Sequence, residues 1–282
     1  MKSHAKINVF LKIVGKKDNY HELSSRFIKL NDFYDELFLI PKKLAKEIDK
    51  KNLYDVDFIK NTNTINGVEI TKSNEIIQDK ILDKYYLINE NLISNFYAPN
   101  SIFDKVLSLI PEQIAKNFYD NYALFLHKNI PTFSGLGGAS SNAACFIKLL
   151  RTLGDFDIYK VGARSGADVS FFLSEYEAAN VGGYGEIISE FVDDKLDIEL
   201  FFSRPCSTKD VFYEFSKNAI YYNNDELSHQ KSKDLLKNYS NYFLNDLLTP
   251  CENLYPDIKN LIKDGLFLSG SGGTFFKIKD EN

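Results

Sequence analysis

The segment of this chain best suited to chemistry is Pro131-Thr132-Phe133-Ser134-Gly135-Leu136-Gly137-Gly138-Ala139-Ser140-Ser141-Asn142. Glycines admit positive φ and let backbone N–H groups approach a ligand with no Cβ in the way. A helix starting directly behind them adds unpaired N–H donors and the positive end of its dipole, a combination suited to phosphate. The adjacent hydroxyls of Ser140 and Ser141 could hydrogen-bond phosphate oxygens or ligate Mg²⁺. The segment has neither the GK[ST] ending of a Walker A loop nor the GxGxxG spacing of a dinucleotide-binding turn. Taken alone, it reads equally as a connection that only turns a strand into a helix.

The elements around it can be read from their periodicity. Tyr122 to His127 is patterned as a strand leading into the glycines. Ala143, Ala144, Ile147, Leu149 and Leu150 are spaced to bury one face of a helix running from about Ser140 through Leu150. The opening is β-rich: a strand over Ala5 to Ile13, a break over Gly15 to Glu22, then strands at Phe27 to Leu30 and Glu36 to Ile40. Ile76, Ile77, Ile81 and Leu82 predict an amphipathic helix over Ser73 to Leu87, and Ile102 to Phe118 holds another that Pro111 interrupts. Downstream come a Gly182-Gly183 turn, an apolar strand at Ile198 to Phe202, and a Lys- and Asn-rich helical region from Asn218 to Asn241 that reads as a solvated face. A turn at Ser269 to Gly273 precedes a last strand, Thr274 to Ile278. No internal repeat or long Pro/Gly/Ser linker divides the chain.

Composition narrows the function classes. With 282 residues, 44% hydrophobic and 26% charged, the chain has the make-up of a globular protein of one large or two moderate domains. Its net charge of −5 offers no global basic field for nucleic acid or an anionic membrane, so a polyanionic ligand must be met by local geometry. Cys145, Cys206 and Cys251 are odd in number and far apart, which speaks against a disulfide framework or a zinc cage. The amino terminus lacks a signal-peptide core and no apolar run reaches the length of a membrane span. The expectation is a reduced cytoplasmic protein with no nucleic-acid or membrane partner.

Pro131-x-x-x-Gly135-Leu136-Gly137-Gly138-x-Ser140-Ser141-Asn142-Ala143-Ala144 resembles the phosphate-loop signature of the GHMP kinases. Three further segments agree with that superfamily in order along the chain. Ala5-Lys6-Ile7-Asn8 resembles its amino-terminal motif. Gly166-Ala167-Asp168-Val169 resembles the motif that supplies an acidic catalytic residue. Leu268-Ser269-Gly270-Ser271-Gly272-Gly273 resembles the carboxy-terminal glycine motif that packs near the phosphate loop. The resemblance implies an α+β fold of two lobes with the active site in the cleft between them. It implies an amino-terminal ATP-binding domain over residues 1–178 and a carboxy-terminal domain over 179–282 that contributes to the substrate site. ATP with Mg²⁺ would bind along Pro131 and Ser134 to Ser141, and an alcohol would be the phosphoryl acceptor. Asp168 would accept the hydroxyl proton or orient the hydroxyl, and Lys6 would stabilise developing charge and keep Asp168 ionised. Outside this context each has a plainer reading, Asp168 as a helix cap and Lys6 as a solvated lysine on an edge strand.

Gly15-x-x-x-x-Tyr20-His21-x-Leu23 following Ala5-Lys6-Ile7-Asn8 resembles the diphosphocytidyl-methylerythritol kinases within that superfamily. There Tyr20 would stack on a cytosine, His21 would read its edge, and Asn8 would join the substrate site. Ser207-Thr208-Lys209-Asp210-Val211-Phe212 resembles the segment whose Thr208 and Phe212 complete that site, with Phe212 as a second aromatic face. Asn74 and Ile76 fall where the family contacts adenine, and Asn245-Asp246 resembles a structural pair. The chain departs from the pattern at Thr132 to Ser134, where more glycines are usual, and at Ser170, where proline is usual. The implied reaction phosphorylates the 2-hydroxyl of 4-diphosphocytidyl-2-C-methyl-D-erythritol, by a monomer or weak homodimer. Another kinase of the superfamily would share the loop, Lys6 and Asp168 but have no use for a cytosine pocket, and a non-catalytic nucleotide sensor would have no need of Lys6 and Asp168.

Overall fold

The computed structural model describes residues 1–17, 20–43, 86–89, 92–94, 102–221 and 226–279. Asn74, Ile76 and most of the helix expected from Ser73 lie outside them. Tyr86 and Leu87, expected to end that helix, sit instead in a short strand, β3 (Tyr86–Asn89).

The architecture grows from one hairpin. Strand β1 (Lys2–Lys17) runs antiparallel to β2 (Tyr20–Pro41) for nearly its whole length. The two strands expected at Phe27 to Leu30 and Glu36 to Ile40 are therefore one, and the expected break at Gly15 to Glu22 narrows to the tip of the hairpin. Backbone pairing does not require apolar side chains, so polar residues there sit on strands that the hydrophobic pattern cannot register. The ladder jumps from His4–Tyr34 to Ala5–Leu30, so Asn31, Asp32 and Phe33 bulge out of β2 instead of ending it.

Five more strands complete the larger sheet: β3, β4 (Leu92–Ser94), β5 (Tyr122–His127), β6 (Ala178–Gly183) and β7 (Ile187–Glu190). β5 pairs with the second half of β2 and β6 with the first, in the order β3-β4-β5-β2-β6-β7 with β1 against β2. The sheet thus continues past residue 178 as far as Glu190. Among the described residues five helices accompany it: α1 (Ile102–Leu107), α2 (Glu112–Asn121), α3 (Gly138–Arg151), α4 (Ile158–Ser165) and α5 (Val169–Ser174). Pro111 is the N-cap of α2, where its missing N–H leaves no intrahelical bond unmade, and so it splits the expected helix in two. Their apolar faces and those of β2, β4 and β5 form one core containing Val106, Phe118, Phe146, Ile147 and Leu150.

The second, smaller sheet has the order β8 (Ile198–Phe202), β10 (Thr274–Ile278), β9 (Phe267–Leu268). Around it lie α6 (Thr208–Lys217), α7 (Glu226–His229), α8 (Ser232–Asn238), α9 (Asn241–Leu244) and α10 (Leu248–Leu254). β1 belongs to both parts: Leu11 and Ile13 enter the core of Val211, Leu248 and Phe275, while Ala5, Ile7 and Val9 pack with Leu136, Leu235 and Phe276. Among the described residues no helix is long and apolar enough to cross a membrane.

Candidate active site

Lys6 occupies a central position on β1 and is 3% exposed. Its side chain runs to the first glycine segment, where a Cβ on Gly137 would lie 3.0 Å from Lys6 Cε. Nζ donates to Asn8 Oδ1 at 2.5 Å and to the Gly135 carbonyl at 3.2 Å, and lies 3.5 Å from Asp168 Oδ2. It also sits over the Phe27 ring, 4.4 Å from the centroid. Burial lowers the Lys6 pKa from its ordinary value, and Asp168 opposes that shift. Asp168 stands at the N-cap position of α5, yet its side chain makes no capping bond there. It remains 24% exposed, turned to Lys6 and to solvent.

The two glycine segments pack backbone to backbone. Gly135 has φ 77°, and a Cβ there would lie 2.3 Å from the Ser269 carbonyl. Gly273 has φ 96°, and a Cβ there would lie 2.3 Å from the Phe133 carbonyl. No side chain fits at either contact. Ser269 Oγ donates to the Gly135 carbonyl at 3.2 Å, and buried Asn245 holds the later turn by donating to the Leu268 and Gly270 carbonyls. The Asn245-Asp246 pair is structural, since Asp246 accepts from the Ile13 amide and pairs with Lys12.

Gly137, at φ 72° with no side-chain capping bond, turns the chain into α3. The helix begins at Gly138, two residues before the expected Ser140. Its opening amides up to Ser140 precede the first backbone bond of the helix, Ser141 N to the Gly137 carbonyl, and are oriented for an anion. The members of the loop then separate. Ala139 and half-buried Ser140 face outward, Ser140 toward Gly166, while Pro131 is half-buried and Ser134 buried. Leu136 is core, and its carbonyl accepts from the Lys6 amide. Ser141 is 2% exposed, with its hydroxyl 2.8 Å from Ser3 Oγ and its amide engaged within the helix. It therefore does not join the ligand-facing set expected of it: helical rotation carries it one step past Ser140 into the interior. Phe133 takes a left-handed φ of 56° where the family pattern has glycine, tolerated because its side chain projects into solvent, 63% exposed.

The residues expected to form the substrate wall depart from expectation in their pairings. Tyr20 and His21 are neighbours on β2 and so point to opposite faces. Tyr20, 69% exposed, meets Tyr184 edge-on with ring centres 5.9 Å apart. His21 is the residue that meets Phe212, at 5.4 Å, and its Nε2 lies 3.1 Å from Ser216 Oγ. Phe212 is thus in contact with His21 and partly buried in the second core, and Tyr184 is an aromatic neighbour the motif reading missed. Burial and Lys16 lower the His21 pKa, so the ring is neutral at neutral pH and offers one donor and one acceptor. Thr208 opens α6 with its hydroxyl 2.8 Å from Ser271 Oγ, tying that helix to the glycine turn. Asn8 Nδ2 donates to Ser25 Oγ at 3.0 Å, which fixes the orientation of its carbonyl toward Lys6.

Sequence reasoning also missed buried Asp35 and Lys128, whose only signal was a charge at the end of an apolar run. It read 218–241 as a solvated face as well. Fully buried Arg26 donates to the Ser228 and Gln230 carbonyls and lies 3.6 Å from Asp193, so the inner side of that region is a polar clamp.

A phosphate-oriented loop, a buried lysine beside a partly exposed aspartate and a second glycine turn in one cleft are the arrangement of a GHMP kinase. The pattern described as the GHMP kinases N terminal domain matches residues 102–176. The chain is 35% identical over 293 residues to a 4-diphosphocytidyl-2-C-methyl-D-erythritol kinase of Campylobacter jejuni strain 81116, covering 99% of each. It is 35% identical over 292 residues to the kinase of that name from Sulfurimonas denitrificans, covering 99% of this chain and 97% of the relative. A crystal structure of a 4-(cytidine 5'-diphospho)-2C-methyl-D-erythritol kinase shares the fold, with a TM-score of 0.64 at 21% identity over 99% of this chain and 90% of that one. The chain belongs to the 4-diphosphocytidyl-2-C-methyl-D-erythritol kinase family.

Proposed function

We propose that the chain transfers the γ-phosphoryl group of ATP to the 2-hydroxyl of 4-diphosphocytidyl-2-C-methyl-D-erythritol, a step of non-mevalonate isoprenoid precursor synthesis, in the cytoplasm and as a monomer or weak homodimer. One observation carries the mechanism: a single buried ammonium, that of Lys6, touches both the Gly135 carbonyl of the loop and the Asp168 carboxylate. The open amides of Gly138 to Ser140 hold the triphosphate, and Asp168 orients the acceptor hydroxyl and takes its proton. The hydroxyl oxygen forms a bond to the γ-phosphorus as the bond to the ADP oxygen breaks, and Lys6 stabilises the charge spreading over the transferred oxygens.

Among the described residues no group of three or more His, Cys, Asp or Glu could hold a metal ion. Mg²⁺ would neutralise charge on the triphosphate, with the half-buried Ser140 hydroxyl as the side chain that would hold it. The cytidyl group would lie against His21, Thr208 and Phe212, with Tyr20 and Tyr184 on the opposite face of β2. The lobe division belongs to the same reading but falls after Glu190 and not near 178, because β6 and β7 complete the sheet of the first lobe.

The test is ADP release from ATP, Mg²⁺ and the cytidyl alcohol, with Asp168→Ala run alongside after a check of its fold. Turnover that requires the cytidyl alcohol and collapses in the variant supports the proposal. Turnover with homoserine or mevalonate in its place would sink the substrate.

A further inference from the structure

Asp35 is fully buried on β2, and its carboxylate gathers donors from both ends of the glycine loop. Ahead of the loop, the amides of Asn129 and Ile130 donate to Oδ1, each at 2.7 Å, and the Lys128 ammonium donates to Oδ2. Behind the loop, the Asn142 side-chain amide of α3 donates to Oδ2 at 2.9 Å. Ser3 of β1 closes the far side, 2.7 Å from Asn142 Oδ1 and 2.8 Å from Ser141 Oγ. One carboxylate thus fixes the spacing between the chain entering the loop and the helix leaving it.

Lys128 is only 8% exposed, and a Cβ on Gly138 would lie 3.2 Å from its Nζ. The ammonium therefore sits directly beneath the first residue of α3. A helix N-terminus already carries positive partial charge, so a buried cation there has the wrong sign unless anions oppose it. Asp35 supplies one negative charge from below. On the cleft side the same terminus presents uncapped amides, with Lys6 nearby, and stays positive until a polyanion arrives.

We infer that Lys128, clamped by Asp35, is a positioning residue for triphosphate binding, holding the two ends of the loop together and adding positive charge beneath the open end of α3. The inference rests on reading Gly135 to Ser140 as the triphosphate loop. Lys128 acts through the helix and does not itself reach the transferred group.

Calorimetric affinities for ATP and for adenosine, with KM for the cytidyl alcohol, separate this role from simple support. Lys128→Met should weaken ATP about tenfold, with adenosine affinity and alcohol KM changed less than twofold, and should lower thermal stability because Asp35 is left buried without its cation. In Asp35→Asn/Lys128→Met the pair is neutral and the Asn142 amide can flip to accept from the new one. Stability should return there while the ATP loss persists. Recovery of ATP affinity in the double variant would mean that Lys128 only neutralises Asp35, and all constants moving together would mean a merely structural role. Either overturns the inference. If the variants do not fold, the NH₃⁺ resonance of Lys128 in the unaltered protein decides: it should move on adding ATP and not adenosine, and an unmoved signal overturns the inference too. Gly137→Ala and Ser140→Ala test the loop separately, since unchanged ATP affinity in both would sink the loop reading itself.

Discussion

At the scale of single residues, the cleft is built around the cost of a buried lysine. Burial lowers the Lys6 pKa, and Asp168 opposes that shift without cancelling it. The folded chain therefore releases this proton at lower pH than the unfolded chain, whose lysine titrates near 10.5. Between those values the unfolded state binds more protons, so the Lys6 contribution makes stability rise with pH, while the charge proposed to act in transfer is lost. Asp168→Asn should move the Lys6 titration to still lower pH, seen as an earlier chemical-shift change at its Cε, and an unmoved titration would show the pair uncoupled. Asp168→Ala should cut kcat about 10³-fold. Gly135 and Gly265 make a second contrast. Both have positive φ, but a Cβ at Gly265 meets nothing within 4 Å whereas one at Gly135 meets the Ser269 and Gly272 carbonyls. Gly265→Ala should cost only about 1–2 kcal/mol of left-handed strain, and Gly135→Ala clearly more, together with a fall in ATP affinity. Equal unfolding free energies for the two variants would contradict the close packing of the turns.

At the scale of elements, the later glycine turn, the start of α3 and the short helices α7 and α8 are each held by a clamp made by a polar side chain. Asn245 holds the carboxy-terminal glycine turn against the phosphate loop, and Asp35 holds the start of α3. Arg26 does the same for the short helices α7 and α8, bonding the carbonyls around Ser228 and Gln230 and lying over the Phe191 ring. Burial lowers its pKa to about 10, with Asp193 opposing. Removing one partner of such a buried cluster leaves the rest uncompensated. Arg26→Met should therefore lower stability by about 3–5 kcal/mol and speed amide exchange over 226–238 more than elsewhere. Exchange that rises evenly across the chain would show that Arg26 supports the whole core and not these helices in particular.

At the scale of the whole molecule, β1 pairs with β2 in the larger sheet while its Leu11 and Ile13 enter the core of Val211 and Phe275, so the chain is expected to unfold as one cooperative unit. Val106→Ala in the first core and Val211→Ala in the second should each lower a single common thermal transition. Two separated transitions would show the lobes folding independently. ATP at a hundred times its Kd should add about 2.7 kcal/mol and raise that transition by a few degrees.

What could be read from the chain beforehand follows from the range of the interactions concerned. Local periodicity was enough for β5, β8, β10 and α3, since each carries its own pattern of buried positions. The order of the motifs was enough for the family, because glycines at forced backbone positions and an acid–lysine pair leave marks in sequence. The polar halves of β2 were hidden, since strand pairing is made by the backbone and is indifferent to side-chain polarity. Only tertiary structure decided that Ser140 faces the cleft while Ser141 is spent on Ser3, or that His21 and not Tyr20 meets Phe212. Those outcomes depend on one step of helical rotation or strand alternation relative to distant elements. The buried charges Asp35, Lys128 and Arg26 were illegible for the same reason: a charge is read as solvated until the fold supplies partners from segments far along the chain.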